Sequence, residues 1–413
     1  MYTRKAFEKS EYLTKWDSII TSVEETNGNF LVIFESTIFF PTGGGQNCDT
    51  GTITSPERGS SAQISDVNIR DGVIYHTLEN VRGDFQPGDK VTMEIDWPNR
   101  FDNMQRHCGE HILSGAFYRL YGGMNKGFHM GKDFITIDIA FPHGDPYQQV
   151  TWEMAEAAEA DANAVIQSDV PVTVDYFKTR SEAVKMPLRK ALAFDEDISV
   201  VTIGDKEHPM DCVACCGTHP STAGQVGLIK IYKIEPNKGM SRVFFEAGGR
   251  AYAKYRDQFD VLYDLGNRLS AGYEDILSKY DKQVRRNQES RDRLHRLTQV
   301  LVSQKSSQIL SDLSSVSECM LVYEEDLFTA DDILDIGKII EPSIKGLVAL
   351  IATDTNTVFL FSGGEPACGK FVKEYASDFG GRGGGKANMA RAVFPDKAGY
   401  KAFIAAIDPH ICK

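Results

Sequence analysis

The segment Cys215-Cys216-Gly217-Thr218-His219 places a thiol and an imidazole four residues apart around a Gly-Thr turn. Much earlier in the chain, Arg106-His107-Cys108-Gly109-Glu110-His111 supplies two imidazoles at positions i and i+4. On a helix those two positions share one face. One cysteine and three histidines form a nitrogen and sulfur ligand set that suits Zn²⁺. The rest of the chain is therefore predicted to bring these two segments together.

The predicted zinc ligands are His107, His111, Cys215 and His219. Three thiols compete for the sulfur position, and Cys215 is favoured because its spacing to His219 wraps the turn. Cys212 and Cys216 remain alternatives, since either could instead be a small buried residue.

A second interpretation of the histidine segment is an inverted zinc-protease motif, His-x-x-Glu-His, in which Glu110 would be the base. Four ligands from two segments argue against a protease, whose third ligand is normally a carboxylate.

Composition restricts the class of protein. The 413 residues carry a formal net charge of −13 and are 42% hydrophobic. The sequence has no run of about 18 apolar residues, as a membrane span would need, and its first residues lack the apolar core of a signal peptide. We therefore expect a cytoplasmic protein that does not insert into membranes. Clustered cysteines at 212–216 indicate metal rather than disulfides in a reducing compartment.

The pattern of the chain predicts an α+β, multidomain protein. Short alternating strands, with a hairpin signal at Asp71-Gly72, predict a small N-terminal β-barrel with a glycine-rich loop over residues 1–96. Mixed strands and helices predict an α+β zinc core over 97–248. A charged helical arm is expected over 249–316, ending in a serine-rich joint from Ser303 to Ser315, and a C-terminal α/β domain over 317–413.

The helical arm reverses the charge of the whole chain. Between Lys279 and Arg296 there are seven basic and three acidic residues. A solvated helix face explains such a segment, and so does an RNA-facing arm. The C-terminal domain adds a basic glycine-rich stretch from Gly380 to Lys386, which lacks the Ser or Thr that a nucleotide-binding phosphate loop requires after its lysine. The candidate contacts with an RNA phosphate backbone are Lys282, Arg285, Arg286, Arg382, Lys386 and Arg391.

Taken in order, four motifs resemble one family. Pro41-Thr42-Gly43-Gly44-Gly45-Gln46, His107-x3-His111 and Cys215-x3-His219 resemble the editing domain of alanyl-tRNA synthetase and the free-standing alanyl-tRNA editing hydrolases of the AlaX family, long form. The stretch from Gly380 to Ala392 resembles the DHH-associated domain that ends alanyl-tRNA synthetase. Cys216 departs from the family pattern, which usually has glycine there. No aminoacylation domain is expected before the barrel.

The resemblance implies a zinc-dependent hydrolase that deacylates mischarged tRNA(Ala), chiefly Ser-tRNA(Ala), and a homodimer formed through the C-terminal domain. It also implies pocket roles for Thr42 and Gln46, with Thr42 able to bind the serine hydroxyl. Glu110 is a candidate proton carrier or a residue that orients a ligand. Whether zinc would activate water or anchor the substrate, and whether glycine is also removed, stays open. The alternative is a non-catalytic tRNA-binding module with a structural zinc.

Overall fold

The computed structural model describes residues 2–26, 29–315 and 319–411. The chain divides into two compact units, Met1–Tyr263 and Asp264–Lys413. The predicted domain boundary at 316/317 lies outside the described residues, as does Cys412.

A closed six-stranded barrel opens the first unit. The strands of this region are β1 (Arg4–Lys5), β2 (Lys15–Thr26), β3 (Asn29–Phe34), β4 (Ser36–Thr37), β5 (Gly51–Ser55), β6 (Ser60–Arg70), β7 (Val73–Arg82) and β8 (Lys90–Ile95). The barrel order is β2-β3-β7-β6-β5-β8, while β1 pairs with β4 in parallel. The predicted hairpin joins β6 to β7, and Asp71 and Gly72 both have positive φ, at 48° and 78°. That conformation matches the twist of a two-residue hairpin turn.

A long central helix follows the barrel. Helix α1 spans Trp97–Tyr121. Its N-cap is Asp96, whose side chain accepts a hydrogen bond from Asn99 N, and its C-cap is Gly122, with φ 68°. Both are ordinary helix start and stop signals. The helix is buried almost continuously from residue 103 to 117, so it lies inside the core and not on its surface. Its close packing explains Gly109, where a Cβ would lie 2.6 Å from Ala247 Cβ.

Two antiparallel sheets surround α1. Their elements are β9 (Met124–Met130), β10 (Ile135–Ala140), α2 (Trp152–Gln167), β11 (Val172–Thr179), α3 (Arg180–Ala183), β12 (Glu196–Gly204), β13 (Pro209–Ala214), β14 (Ile229–Asn237) and β15 (Met240–Ala247). One sheet has the order β14-β15-β10-β9 and the other β11-β12-β13. Residues of α1, α2 and both sheets form one hydrophobic core. This core fixes where the two histidines of α1 lie relative to the end of β13.

Two helices follow β15 in the sequence. They are α4 (Gly248–Leu269) and α5 (Ile276–Ser315). The predicted serine-rich joint is wrong, because those serines continue α5. The hydroxyls of Ser306, Ser307 and Ser314 each donate to the carbonyl four residues earlier, at 2.7, 2.9 and 2.9 Å. Such bonds let serine remain within a helix.

The second unit ends in a five-stranded sheet with three helices. Its elements are β16 (Met320–Glu325), α6 (Ala330–Ile340), β17 (Leu347–Ala352), β18 (Thr357–Ser362), α7 (Cys368–Tyr375), β19 (Arg382–Gly385), β20 (Met389–Val393) and α8 (Lys397–Ile407). The sheet order is β16-β17-β18-β20-β19, which leaves the glycine-rich β19 at an edge. The mixed α+β architecture with an N-terminal barrel is thus as predicted. Among the described residues, no helix is both long and apolar enough to span a bilayer.

Candidate metal centre

Helix α1 presents two buried histidines side by side. His107 and His111 are 1% and 4% exposed, and their ring centroids lie 5.0 Å apart. The spacing of four residues places both rings on one face of the helix. That face looks toward the turn that follows β13.

The turn after β13 brings the other two side chains to the same place. Cys215 N donates to Ser199 O at 3.0 Å, which holds the start of the turn against β12. His219 is buried, and its ring centroid lies 4.9 Å from that of His107 and 5.1 Å from that of His111. Gly217 is required here because a Cβ at this position would collide with the His107 ring.

The four predicted ligands converge on one point. One ligand atom each from His107, His111, Cys215 and His219 lies within 4.8 Å of every other. Cys215 Sγ is 3.3 Å from His107 Nε2 and 3.7 Å from His219 Nε2. Neither competing thiol belongs to this group: the Cys212 thiol lies 3.7 Å from Thr202 Oγ1, and Cys216 is exposed.

Burial keeps the three imidazoles of this group in the neutral state that a metal needs. Desolvation lowers the pKa of His107 to about 4 and lowers the pKa of His111 and His219 well below the usual value, so all three rings are neutral at pH 7. Burial raises the pKa of the Cys215 thiol and so favours its protonated form, and a bound cation would be needed to stabilise the thiolate. Both ring nitrogens of His111 are buried without a hydrogen bond. A zinc ion fits this donor set.

Gln46 fixes the orientation of His107. Its Oε1 accepts a hydrogen bond from Thr218 N at 3.0 Å, and its Nε2 donates to Thr218 Oγ1 at 2.7 Å. These two bonds set the amide orientation, so the 2.8 Å contact between Gln46 Oε1 and His107 Nδ1 makes Nδ1 the donor. The lone pair of His107 is then on Nε2, the nitrogen that faces Cys215.

Glu110 lies behind His111, among partners of its own. Its Oε1 accepts hydrogen bonds from Ser114 Oγ and Asn125 Nδ2, each 2.6 Å long, and its Oε2 is 3.2 Å from His111 Nδ1. Asp211 Oδ2 is 3.7 Å from the same nitrogen. Two carboxylates on the Nδ1 side leave Nε2 of His111 for the metal. This arrangement can orient His111.

The glycine-rich loop covers the site from the barrel side. Gly43 and Gln46 exchange backbone hydrogen bonds of 3.1 and 3.0 Å, which close a tight turn. Gly44 and Gly45 have positive φ, at 60° and 83°, and a Cβ on Gly44 would lie 3.1 Å from Cys216 Sγ. Thr42, at the start of the loop, is exposed. The loop thus offers both the buried amide of Gln46 and an exposed threonine.

Comparisons with known proteins agree with this geometry. The family model "tRNA synthetases class II (A)" matches residues 2–99, and "Threonyl and Alanyl tRNA synthetase second additional domain" matches residues 198–244. The alanyl-tRNA editing protein AlaX-L of Pyrococcus horikoshii is 28% identical over 395 residues, which cover 94% of this chain and 93% of that protein. The chain resembles the alanyl-tRNA editing proteins.

Longer relatives contain the same region as a part. The alanine–tRNA ligase of Haloquadratum walsbyi is 27% identical over 93% of this chain and 41% of its own length. That of Methanosarcina mazei is 27% identical over 94% of this chain and 42% of its own length. The chain therefore spans about two fifths of these ligases and nearly all of the editing protein.

The six candidate tRNA contacts all belong to the second unit. Lys282, Arg285 and Arg286 are exposed on α5. Arg382 and Lys386 are exposed at the β19 edge, and the exposed Arg391 stacks its guanidinium 5.6 Å from the centroid of the Phe359 ring. All six cations are available to a polyanion in this unit.

The sequence interpretation missed several residues around the site. Asn125 and Asp211 carry no motif, and only the folded sheet brings them to Glu110 and His111. Asp49 and Arg100 were also missed. Arg100 did leave a signal, because it stands seven residues before His107 on the same helix face.

Proposed function

We propose that this chain is a zinc-dependent hydrolase that deacylates mischarged tRNA(Ala), chiefly Ser-tRNA(Ala). The observation that carries the proposal is the convergence of His107, His111, Cys215 and His219 within 4.8 Å in a chain that resembles an editing protein along nearly its full length. The products are a free amino acid and tRNA.

The four ligands would hold zinc, which when bound supplies Lewis acidity for attack of water on an ester carbonyl. Gln46 keeps His107 in the tautomer that has its lone pair on Nε2. Glu110 and Asp211 have carboxylate oxygens 3.2 and 3.7 Å from His111 Nδ1, and their charges favour a proton on that nitrogen, which leaves Nε2 for zinc. We assign Glu110 to this orienting role because its Oε1 accepts two hydrogen bonds, its Oε2 lies 3.2 Å from His111 Nδ1, and the residue is only 4% exposed.

Thr42 is the proposed selector for serine. Thr42 is an exposed residue on the loop that covers the site, and a serine ester offers a hydroxyl partner that an alanine ester lacks. Where the bound substrate excludes water from this contact, the interaction discriminates by roughly ten- to a hundredfold, because alanine would leave the polar group unpaired. Alanyl-tRNA(Ala) is therefore spared.

The second unit is proposed to hold the body of the tRNA. The exposed cations of α5 and of the β19 edge can contact several phosphates of the tRNA body. An editing pocket that binds only the 3′ end would contact few phosphates. We also propose a homodimer through the C-terminal domain and a cytoplasmic location, as expected for a partner of tRNA.

The rival function is a tRNA-binding module with a structural zinc, since four protein ligands can complete a tetrahedral site. A protease is not favoured, because the proposed fourth ligand is the Cys215 thiolate and Glu110 is already engaged.

A deacylation assay separates these functions. Wild-type protein should release serine from Ser-tRNA(Ala), leave Ala-tRNA(Ala) intact and leave casein uncut. Retention of serine on the tRNA despite tight binding would favour the structural module. Cleavage of casein that a chelator abolishes would favour the protease.

A further inference from the structure

A fully buried ion pair lies at the base of the glycine-rich loop. Asp49, at the end of the loop, and Arg100, in the first turns of α1, are both 0% exposed. Arg100 Nε donates to Asp49 Oδ1 at 2.8 Å, and Nη2 donates to Asp49 Oδ2. Two planar groups bound in parallel fix both distance and direction.

The same ion pair holds together the two ends of the loop, residues 40–49. Asp49 N donates to Phe40 O at 3.0 Å, and Phe40 N donates to Asp49 Oδ2 at 2.6 Å. Arg100 Nη2 also donates to Ile38 O at 2.7 Å, and Nη1 donates to Glu11 O at 2.8 Å. Residues 40–49 therefore leave and return at one point, and that point is bound to α1.

The loop has a second attachment to the same helix face. Arg100 and His107 are seven residues apart, about two turns, so both side chains point to one side of α1. Gln46 Oε1 contacts His107 Nδ1 at 2.8 Å. The loop is thus attached to α1 at its base through Asp49 and at its tip through Gln46.

We propose that Asp49 and Arg100 are positioning residues that hold the loop carrying Thr42 and Gln46 over the metal centre. This inference rests on the proposed function for its kinetic part only. Stabilisation alone explains such a pair poorly, because desolvation of both charges offsets most of their attraction. The pair instead supplies a fixed geometry between a loop of the barrel and a helix of the core.

The chain contains a matched control. Arg106 and Glu246 form another buried pair on α1, 1% and 0% exposed, with Arg106 Nε donating to Glu246 Oε1 at 2.8 Å. Glu246 lies in β15, and within the part of the chain that the structure describes its side chain has no hydrogen bond to residues 40–49. Glu246→Gln and Asp49→Asn therefore remove equal charge from equally buried pairs.

Hydrogen exchange tests the inference without any activity. In the zinc-loaded full chain, Asp49→Asn should accelerate amide exchange across residues 40–49, where Gln46 N donates to Gly43 O, while zinc content stays the same. Glu246→Gln should leave exchange in that segment unchanged. Equal exchange of residues 40–49 in wild type and Asp49→Asn would overturn the proposal. Arg100→Lys serves as a second variant if Asp49→Asn does not fold.

The kinetics of Ser-tRNA(Ala) hydrolysis provide a second test of the inference. Asp49→Asn should lower kcat/KM by about ten- to a hundredfold, as expected for misplacement of a site by about 1 Å. In a Gln46→Ala background it should cost a smaller factor than in the wild type, because the contact of the loop with His107 is already lost and only the placement of Thr42 remains affected. The same factor in both backgrounds would overturn the proposal. If the wild type itself does not deacylate, the proposed function fails, and the exchange experiment still decides the role of the pair.

Discussion

Gln46 Oε1 lies 2.8 Å from His107 Nδ1, so an amide from the barrel loop sets the tautomer of a histidine on the central helix. The same amide bonds to Thr218, between Cys215 and His219, through both its oxygen and its nitrogen. One side chain therefore connects the three segments that form the proposed site: loop, helix and turn. Metal centres depend on such outer contacts to orient their ligands.

The ligand assignment predicts which variants lose zinc. His107→Ala, His111→Ala, Cys215→Ala and His219→Ala each remove one of four donors and should lower zinc content after dialysis far below that of the wild type. Cys212→Ala and Cys216→Ser are matched controls and should keep wild-type zinc, as measured by elemental analysis. Zinc lost from Cys212→Ala but kept in Cys215→Ala would contradict the assignment.

Thr42→Val tests the proposed selection of serine. The change keeps the shape of the side chain and removes its hydroxyl, so hydrolysis of Ser-tRNA(Ala) should slow by roughly ten- to a hundredfold. Hydrolysis of a tRNA ester with an apolar amino acid of similar size should be nearly unaffected. An equal loss on both substrates would show that Thr42 only shapes the loop.

The basic face of α5 should govern the salt dependence of tRNA binding. Replacing Lys282, Arg285 and Arg286 by Gln should weaken binding and flatten the plot of log Kd against log salt by about 0.7–0.9 for each phosphate that the variant no longer neutralises. Lys338, Lys370 and Lys373 are exposed on α6 and α7, and their replacement by Gln removes the same charge as a control. Identical slopes for both triple variants would contradict tRNA binding by α5.

We predict that the buried His76 makes the stability of the barrel sensitive to acid. Its ring is fully buried between Thr37 Oγ1 at 2.9 Å and Val32 O at 3.2 Å, and burial lowers its pKa to about 3. The unfolded chain binds a proton below pH 6.5 while the barrel does not, so stability is complete above pH 6.5 and falls toward pH 3. The loss at pH 4 is about 3 kcal/mol.

A His76→Gln variant isolates that contribution. The free energy of opening of β3 and β7, taken from their slowest amide exchange, should rise by about 3 kcal/mol in the variant relative to the wild type between pH 7 and pH 4. A difference that does not change with pH would assign the acid sensitivity to other groups.

The barrel and the convergence of the four His and Cys side chains could be predicted because their signals are local. The Asp71-Gly72 turn and the spacing of His107 to His111 and of Cys215 to His219 each lie within a few residues. The serine-rich segment failed for the opposite reason. Composition suggested a joint, but hydrogen bonds to preceding carbonyls keep Ser306, Ser307 and Ser314 within α5.

The partners of the ligands could not be predicted, because they depend on tertiary packing. The motif His-x-x-Glu-His places Glu110 beside His111 in sequence, yet only the fold shows that Asn125 and Ser114 occupy one of its oxygens. Asp49 and Arg100 are 51 residues apart, and nothing local pairs them. Contacts of this kind appear only when the barrel is placed against α1.

The most direct test of the central claim is the rate of serine release from Ser-tRNA(Ala) as zinc is removed and restored. We predict that hydrolysis falls in proportion to bound zinc during chelation and returns when one equivalent per chain is added back, while Ala-tRNA(Ala) stays charged throughout. Full hydrolysis by zinc-free protein, or none by zinc-loaded protein, would contradict the account.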